Sequence, residues 1–302
     1  MTTATRGQIA VALAALYVVW GSTYLAIRIG VETLPPLLMA SVRFLVAGGL
    51  MYAWARWRGA ERPTGANWRA AAIVGGLLLC LGNGGVCVSE QTVPSGLAAL
   101  LIATTPLWMA LLDWLWHGAA RPSVRMIAGL GLGFVGAGLL VAPGQLAGGE
   151  RVDPFGALIL LMATLSWAIG SLWSRRLALP GSPVLATAME MLAGGAVTLL
   201  VSALAGEWGR LGPASPRSLW ALVYLIVFGS MIGFSAYVWL LRVATTAVAS
   251  TYAFVNPLIA VVLGAALGGE TISARIAVAG AAIVAAVVMI ILPAPKEATE
   301  PV

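Results

Sequence analysis

Residues 95–116, SGLAALLIATTPLWMALLDWLW, form a continuous apolar run with a proline near its centre. An α-helix rises about 1.5 Å per residue, so a run of this length crosses the roughly 30 Å hydrocarbon core of a bilayer. Similar runs recur along the chain, and links such as Leu34-Pro35-Pro36 and Pro180-Gly181-Ser182-Pro183 contain prolines expected to end helices. The ten predicted spans, numbered 1 to 10 throughout, are 8–29, 36–56, 68–88, 95–116, 124–141, 154–176, 183–205, 218–241, 246–268 and 274–292. These runs predict an all-α integral membrane protein with ten transmembrane helices.

The composition excludes a soluble protein. Of the 302 residues, 60% are hydrophobic and 9% are charged, whereas about a quarter of a typical soluble domain is charged. Nucleic-acid binding is not expected despite the net charge of +6, because Lys and Arg occur singly or in pairs between spans. Cys80 and Cys87 share one face of span 3 and His117 is the only histidine, so the sequence predicts no disulfide framework, metal site or cofactor. The first run lacks a cleavage site of small residues and is interpreted as a retained span, not a signal peptide.

The basic residues predict the orientation of the chain, because Lys and Arg in short loops favour the cytoplasmic side. With the N-terminus inside, eleven basic residues are cytoplasmic: Arg6, Arg56, Arg58, Arg62, Arg69, Arg121, Arg125, Arg175, Arg176, Arg242 and Lys296. Five are external: Arg28, Arg151, Arg210, Arg217 and Arg275. This bias predicts a multi-pass protein of a bacterial-type inner (plasma) membrane with both termini in the cytoplasm. The polar tail, residues 294–302, is predicted to be disordered.

The second half of the chain repeats the first at a shift of about 150 residues. Thr104-Thr105-Pro106-Leu107 aligns with Val255-Asn256-Pro257-Leu258, and a second match aligns residues 36–49 with 183–196. Five spans per half is an odd number, so the second half must have the opposite orientation in the membrane. Inverted repeats around a midplane site are a common plan of secondary transporters. The sequence therefore predicts one five-helix repeat at residues 1–145 and another at 146–293.

Several of these segments also carry a resemblance to a known family. They are Trp20-Gly21-Ser22-Thr23-Tyr24, Gly82-Asn83-Gly84 with Glu90 beyond it, Pro94-Ser95-Gly96 with Pro106, Tyr252-Ala253-Phe254-Val255-Asn256-Pro257 and Gly268-Gly269-Glu270-Thr271. Over nearly its whole length the chain resembles the EamA family of the drug/metabolite transporter superfamily. The resemblance implies a central cavity lined mainly by spans 1 to 4 and 6 to 9, with spans 5 and 10 peripheral. It also implies a small-molecule cargo, such as an amino acid, another metabolite or a drug, and favours export.

Arg43 and Glu190 are the most informative candidate site residues, because charges within spans are costly and usually face protein or a water-filled cavity. The repeat alignment makes them equivalent, each about 10 Å deep but measured from opposite faces. Arg43 is a candidate for holding an anionic group or closing an outer gate. Glu190 is a candidate for holding a cationic group, closing an inner gate or carrying a proton. A structural ion pair between the two residues is the alternative.

Pro106 and Pro257 lie in the middle of spans 4 and 9, where each ring frees the backbone carbonyl four residues earlier. Freed backbone groups at membrane depth are tolerated where they line a cavity or meet a polar neighbour. Thr104, Thr105, Tyr252 and Asn256 are the nearby candidates for that role or for substrate contact. Repetition of the kink in both halves favours a hinge over packing alone.

Trp20 and Trp167 occur at related positions in the first span of each half, and Ser171 follows the second of them. An indole ring can stack on apolar or cationic cargo and donate one hydrogen bond, so both tryptophans are expected to line the cavity. Three weaker candidates are Asn83, Tyr237 and Glu90, of which Glu90 is expected to be a solvated carboxylate at the end of a span.

The pattern Gly131-Leu-Gly133-Phe-Val-Gly136 matches a dinucleotide-binding motif, but it lies inside span 5 and is interpreted as helix packing. The sequence predicts a secondary transporter that works by alternating access on a small solute in a lipid bilayer, with a proton or another ion as a candidate coupling partner. An intramembrane enzyme acting on lipid is the alternative, but the chain lacks an evident nucleophile with a base or a metal site, so no enzyme is predicted. A non-transporting receptor or scaffold is a further alternative.

Overall fold

The computed structural model describes residues 5–117, 124–141, 153–243 and 252–291. Within these ranges the chain is helical, with no β-strand. The α-helices are Arg6–Gly30, Pro36–Trp57, Gly65–Gly75, Gly84–Ser89, Ser95–Ile102, Thr105–His117, Val124–Val141, Pro154–Ser174, Pro183–Leu204, Pro216–Tyr224, Gly233–Val243, Tyr252–Leu267 and Ala274–Ile291. Two π-helical segments, Gly76–Asn83 and Leu225–Ile232, and a short 3₁₀ helix, Glu207–Arg210, complete the structure described.

Among the described residues, seven helical stretches are long and apolar enough to cross a membrane, and they coincide with predicted spans 1 to 4 and 6 to 8. Three shorter apolar helices lie at the positions of spans 5, 9 and 10. The all-α membrane fold is therefore confirmed. The predicted disordered tail 294–302, the predicted repeat boundary at 145–146 and the first residues of predicted span 9 lie outside the described residues.

Prolines in the links begin helices as well as ending them. Pro36, Pro183 and Pro216 each occupy the first turn of a helix. At this position the missing N–H has no intrahelical partner to lose, and the fixed φ suits the helix. Ser182 and Ser215 precede two of these prolines, and their hydroxyls accept hydrogen bonds from backbone N–H groups of the first turn.

Contacts between loops define the two faces of the bundle. At the face where the chain begins, here called the N-terminal face, the Asn67 amide donates to the Ala178 carbonyl at 2.7 Å. At the opposite face, the Glu207 carboxylate accepts from the N–H groups of Leu37 and Leu38 at 3.1 and 2.8 Å. Thus residues 57–65 and 174–183 share one face, and residues 30–36 and 204–216 share the other.

The two halves interleave rather than pack as separate bundles. Span 1 packs against spans 8 and 9, span 6 against spans 3 and 4, span 2 against span 7, and span 5 against span 10. Glycines permit the closest approaches: a Cβ on Gly194 would lie 2.6 Å from the Gly75 carbonyl oxygen, and one on Gly136 would lie 2.9 Å from the Ile283 side chain. This interleaving brings spans from both halves to the centre.

Two π-helical segments interrupt spans 3 and 8 at corresponding places in the two halves. Sequence patterns did not predict them. The Leu77 carbonyl of the first segment accepts from Ser166 Oγ at 2.8 Å, and the Gly229 carbonyl of the second accepts from Trp20 Nε1 at 3.2 Å. Each segment is thus tied to the first span of the other half, and π-helical turns are frequent at functional sites.

The two mid-span prolines behave differently from each other. Span 4 is interrupted between Ile102 and Thr105, and Pro106 lies in the first turn of the second helix. The Ile102 carbonyl, four residues before Pro106, accepts from the Thr105 hydroxyl at 2.7 Å. Span 9 instead runs without interruption from Tyr252 to Leu267 with Pro257 inside it. The sequence predicts the same kink in both halves. In the structure, span 4 is broken before Pro106, whereas span 9 is a continuous helix around Pro257.

Candidate substrate cavity

A cavity of about 240 Å³ lies where the two halves meet. Seven of the eight spans implied by the family resemblance contribute to its wall, and span 7 does not. Its wall consists of Trp20, Thr23, Tyr24, Ile27, Arg43, Gly82, Asn83, Val86, Ala99, Ile102, Ala103, Thr105, Pro106, Met109, Ala163, Trp167, Arg175, Phe234, Tyr237, Tyr252, Asn256 and Pro257. Spans 5 and 10 do not contribute, as the resemblance implies.

Most of the candidate residues come together in this wall, although they are distant in sequence. The nine that line the cavity are Trp20, Arg43, Asn83, Pro106, Trp167, Tyr237, Tyr252, Asn256 and Pro257. Several wall residues are not among the candidates predicted from the sequence, including Tyr24, Met109, Arg175 and Phe234. Tyr24 is the last residue of the Trp20-Gly21-Ser22-Thr23-Tyr24 segment and could have been chosen from it. Phe234 and Met109 have no distinguishing sequence signal among other apolar residues.

Three candidates do not line the cavity, contrary to expectation. Thr104 is fully buried and its hydroxyl donates to the Leu101 carbonyl at 2.6 Å, whereas the Ser171 hydroxyl donates to the Trp167 carbonyl at 2.7 Å. In both cases the hydroxyl bonds to a carbonyl in the preceding turn of its own helix and therefore does not point into the cavity. Glu190 lies on span 7, which packs against spans 2 and 3 behind the wall.

Arg43 is the buried cation of the wall, with 2% of its surface exposed. Its Nε donates to Ser230 Oγ at 2.8 Å and its Nη1 donates to Asn83 Oδ1 at 3.3 Å. Asn83 ends one π-helical segment and Ser230 lies in the other. Among the described residues, no carboxylate lies within 4.0 Å of this guanidinium. The structural ion pair between Arg43 and Glu190, the alternative interpretation from the sequence, is therefore not formed.

Aromatic rings form the apolar part of the wall. The Trp20 ring lies 5.2 Å, centroid to centroid, from each of Phe234, Tyr237 and Tyr252. Trp167, from the second half, lies 6.5 Å from Phe234. These contacts place the two repeat-related tryptophans on either side of one phenylalanine.

Asn256 supplies an unoccupied hydrogen-bond acceptor. It is 5% exposed, and its Oδ1 has no hydrogen-bond partner within the part of the chain that the structure describes. Its backbone packs close to Gly21, since a Cβ there would lie 3.3 Å from the Asn256 carbonyl oxygen. An unpaired amide oxygen in a buried wall costs free energy unless a ligand or water donates to it.

The described residues at the two ends of the cavity differ. Arg175, at the end of span 6, lies in the wall and is exposed at the N-terminal face. Toward the opposite face, Arg28 donates from Nη1 to the Glu90 carbonyl, which joins spans 1 and 3. Glu270 accepts from the Ser95 N–H and hydroxyl, both at 2.6 Å, and from the Gly96 N–H at 2.9 Å. These contacts join the spans on that side.

The expectation that Glu90 is solvated is wrong. The residue is fully buried, and both carboxylate oxygens lack a hydrogen-bond partner among the described residues. It directly follows Ser89, the last residue of the helix Gly84–Ser89, at the opposite face. Burial, reinforced by the nearby Glu270 carboxylate, raises the pKa of the Glu90 carboxyl well above its ordinary value, and Arg28 opposes this shift.

A bundle of membrane-spanning helices that encloses a cavity between its two halves is the architecture of a solute transporter. The model of the EamA-like transporter family matches residues 5–142 and 154–292. The chain therefore belongs to the EamA-like transporter family. The family is one of transporters rather than enzymes, as predicted.

Individual relatives agree with this assignment. Over 282 residues the chain is 44% identical to the uncharacterized inner membrane transporter YedA of Escherichia coli K12, covering 93% of this chain and 90% of that protein. It is 28% identical to a chloroplastic WAT1-related protein of Arabidopsis thaliana, covering 91% of this chain and 67% of the relative. A solved structure described only as "Crystal structure of protein" has the same fold, with a TM-score of 0.61, 21% identity and coverage of 94% and 96%.

Proposed function

We propose that this protein is a secondary transporter that exports a small solute across the inner membrane by alternating access. The observation that carries the proposal is a cavity whose two ends differ: its wall includes the exposed Arg175 at the N-terminal face, while hydrogen bonds of Arg28, Glu90 and Glu270 join the spans at the opposite face. A cavity reached from one side is one of the two states that alternating access requires.

The distribution of basic residues indicates which side of the membrane the cavity faces. The excess of Lys and Arg at the N-terminal face supports a cytoplasmic location for that face and for both termini. In this orientation the cavity faces the cytoplasm, which is the state in which an exporter takes up its cargo. The name of the E. coli relative supports the inner membrane as the location.

The interleaved halves suggest how the protein changes state. The predicted repeats, residues 1–145 and 146–293, exchange equivalent contacts: span 1 packs on spans 8 and 9 as span 6 packs on spans 3 and 4. A rocking motion that exchanges these two sets of contacts would close the N-terminal face and open the other. The two π-helical segments lie where spans 3 and 8 would bend.

The size of the cavity limits the cargo. At about 240 Å³ it is smaller than the roughly 300–1,000 Å³ of sites for drug-sized ligands. The proposed cargo is therefore an amino acid or another small metabolite rather than a large drug. Glu190, an acidic residue within span 7, which packs against spans 2 and 3, is the candidate carrier of a coupling proton.

Transport should be tested with purified protein in liposomes and a mixed panel of labelled amino acids and cationic dyes, with and without a proton gradient. We expect flux in the wild type, loss of flux in Arg43→Ala and loss of gradient dependence in Glu190→Gln. Arg58→Ala, at an exposed residue of the N-terminal face, is the matched control and should transport normally. An absence of flux across the whole panel in correctly folded protein would contradict the proposal and favour an enzyme or a scaffold.

A further inference from the structure

We infer that the cavity selects a small organic anion, in which a carboxylate or similar group binds Arg43 and an apolar, preferably aromatic, body packs against the Trp20 side of the wall. This inference rests on the proposed transport function and specifies the chemical class of its cargo.

The first argument is the state of Arg43. A guanidinium has five N–H donors, and the described structure occupies two of its nitrogen atoms, Nε and Nη1, with Ser230 and Asn83. Both partners are neutral, and the guanidinium also lies over the Phe44 ring, with Cζ 5.0 Å from the ring centroid. Among the described residues no carboxylate lies within 4.0 Å of it, so no anion compensates the charge. A buried cation without a counter-ion is costly, and an anion that binds it recovers much of that cost.

The position of Nη2 shows that this charge adjoins the aromatic wall. A Cβ on Gly229 would lie 3.1 Å from Arg43 Nη2, and the carbonyl of the same Gly229 accepts from Trp20 Nε1. The guanidinium and the indole therefore flank a single backbone position. A ligand whose anionic group reaches Arg43 would place its adjoining carbons beside Trp20.

The rest of the wall suits the remainder of such a ligand. Phe234, Tyr237 and Tyr252 surround the Trp20 ring and offer apolar surface. The unpaired Oδ1 of Asn256 accepts a hydrogen bond but cannot bind an anion, so it provides a place for a donor on the body of the ligand. One cation, an aromatic wall and one neutral acceptor together favour an anion over a cation.

Three probes with the same benzyl body test this selectivity. Phenylmethanesulfonate carries a permanent negative charge, benzyl methyl sulfone is neutral, and benzyltrimethylammonium carries a permanent positive charge. Binding of each to the purified full chain should be measured by equilibrium dialysis, and the flux of the two charged probes, which cross lipid slowly, should be measured in liposomes.

The matched variants are Arg43→Gln in the wall and Arg58→Gln at an exposed site outside it. We expect the sulfonate to bind at least tenfold more tightly than the ammonium, Arg43→Gln to remove this preference and Arg58→Gln to keep it. Arg43→Lys, which retains the charge but loses the planar fork, should bind the sulfonate more weakly than the wild type and more tightly than Arg43→Gln. It serves as the second variant if Arg43→Gln does not fold.

The outcomes separate this inference from the proposed function. Equal or tighter binding of the ammonium, sulfonate binding that ignores Arg43, or no binding of any of the three probes would overturn the anion site. Flux of an uncharged or cationic solute would then leave transport intact. Conversely, Arg43-dependent binding of the sulfonate with no flux of any solute would support the anion site and overturn transport.

Discussion

Arg43 Nε donates a hydrogen bond to Ser230 Oγ at 2.8 Å, across 187 positions of the chain. Because Ser230 lies in the π-helical segment of span 8, this bond joins span 2 of the first half to the irregular backbone of the second. Nη1 of the same guanidinium reaches Asn83 at the end of the other π-helical segment. The position of the Arg43 guanidinium in the cavity wall thus depends on both π-helical segments.

Ser230→Ala should weaken the binding of phenylmethanesulfonate by several-fold to about tenfold, because it removes a hydrogen bond that positions the guanidinium. Ser230→Thr keeps the hydroxyl and should restore most of the affinity. Equilibrium dialysis at several sulfonate concentrations measures the change. Wild-type affinity in Ser230→Ala would show that Ser230 does not position Arg43.

Gly194→Ala should destabilise the protein, because the added Cβ would lie 2.6 Å from the Gly75 carbonyl oxygen where spans 3 and 7 meet. Overpacking of this kind typically costs about 1–3 kcal/mol. Gly49→Ala, with no atom within 4 Å of the added Cβ, is the matched control and should leave stability equal or slightly higher. Thermal unfolding in detergent compares the two, and equal melting temperatures would contradict the close contact.

Thr105→Val should impair transport, because it removes the hydroxyl that donates to the Ile102 carbonyl at the break in span 4. An unpaired buried carbonyl costs about 1–3 kcal/mol, and the break would shift to recover a partner. Thr105→Ser retains the donor and should behave as the wild type. Flux in liposomes, normalised to folded protein, measures the effect; wild-type flux in Thr105→Val would show that the hydroxyl has no role in the break.

Glu90 should make stability depend on pH. Its pKa is raised by burial and by Glu270, so its contribution is full below the ordinary glutamate pKa of about 4.3 and is lost as the pH rises toward the folded value. We therefore expect the melting temperature in detergent to fall as the pH rises above about 5, and Glu90→Gln to flatten this decline.

The control for Glu90 is a carboxylate with the opposite shift. A hydrogen bond from Thr92 lowers the pKa of Asp153, so its contribution is lost as the pH falls. Asp153→Asn should therefore leave the decline above about pH 5 unchanged. An equal slope in the wild type and Glu90→Gln would contradict the assignment of the slope to Glu90.

Cysteine labelling should establish the orientation of the chain. Cys80 and Cys87 are buried, so the wild type should react little with a membrane-impermeant maleimide. A cysteine introduced at Arg58 should be labelled only after cells are permeabilised, whereas one at Gly209 should be labelled in intact cells. The reverse pattern would place both termini outside and make the observed cavity face outward.

Local sequence patterns were sufficient for the spans. Runs such as 36–56 and 183–205 coincide with Pro36–Trp57 and Pro183–Leu204 to within a residue, because the bilayer sets the length of an apolar helix independently of its neighbours. The π-helical segments at Gly76–Asn83 and Leu225–Ile232 were not predicted. They depend on donors from other spans, Ser166 and Trp20, which no local window contains.

The sequence predicted only some of the residues of the candidate site. Arg43 and Trp20 were identified in advance, since a charge or an indole deep in a span is conspicuous, and both line the cavity. Glu190 was equally conspicuous but lies behind the wall, and Glu90 was expected in solvent but is buried. Depth in a span can be counted along the sequence, whereas the direction of a side chain depends on which neighbour packs against its helix.

The sequence alone determined that the chain is an all-α membrane protein and where its helices run, because these depend on the hydrophobic length and composition of single segments. Its short motifs, such as Trp20-Gly21-Ser22-Thr23-Tyr24, carried the family resemblance. The tertiary structure alone decided that Arg43 is held between Asn83 and Ser230, that Arg175 lies in the cavity wall and that Arg28 bonds to the Glu90 carbonyl at the opposite end. These features arise from contacts between spans far apart in the chain. Their geometry is set by the packing of interleaved helices, for which no single segment carries the information.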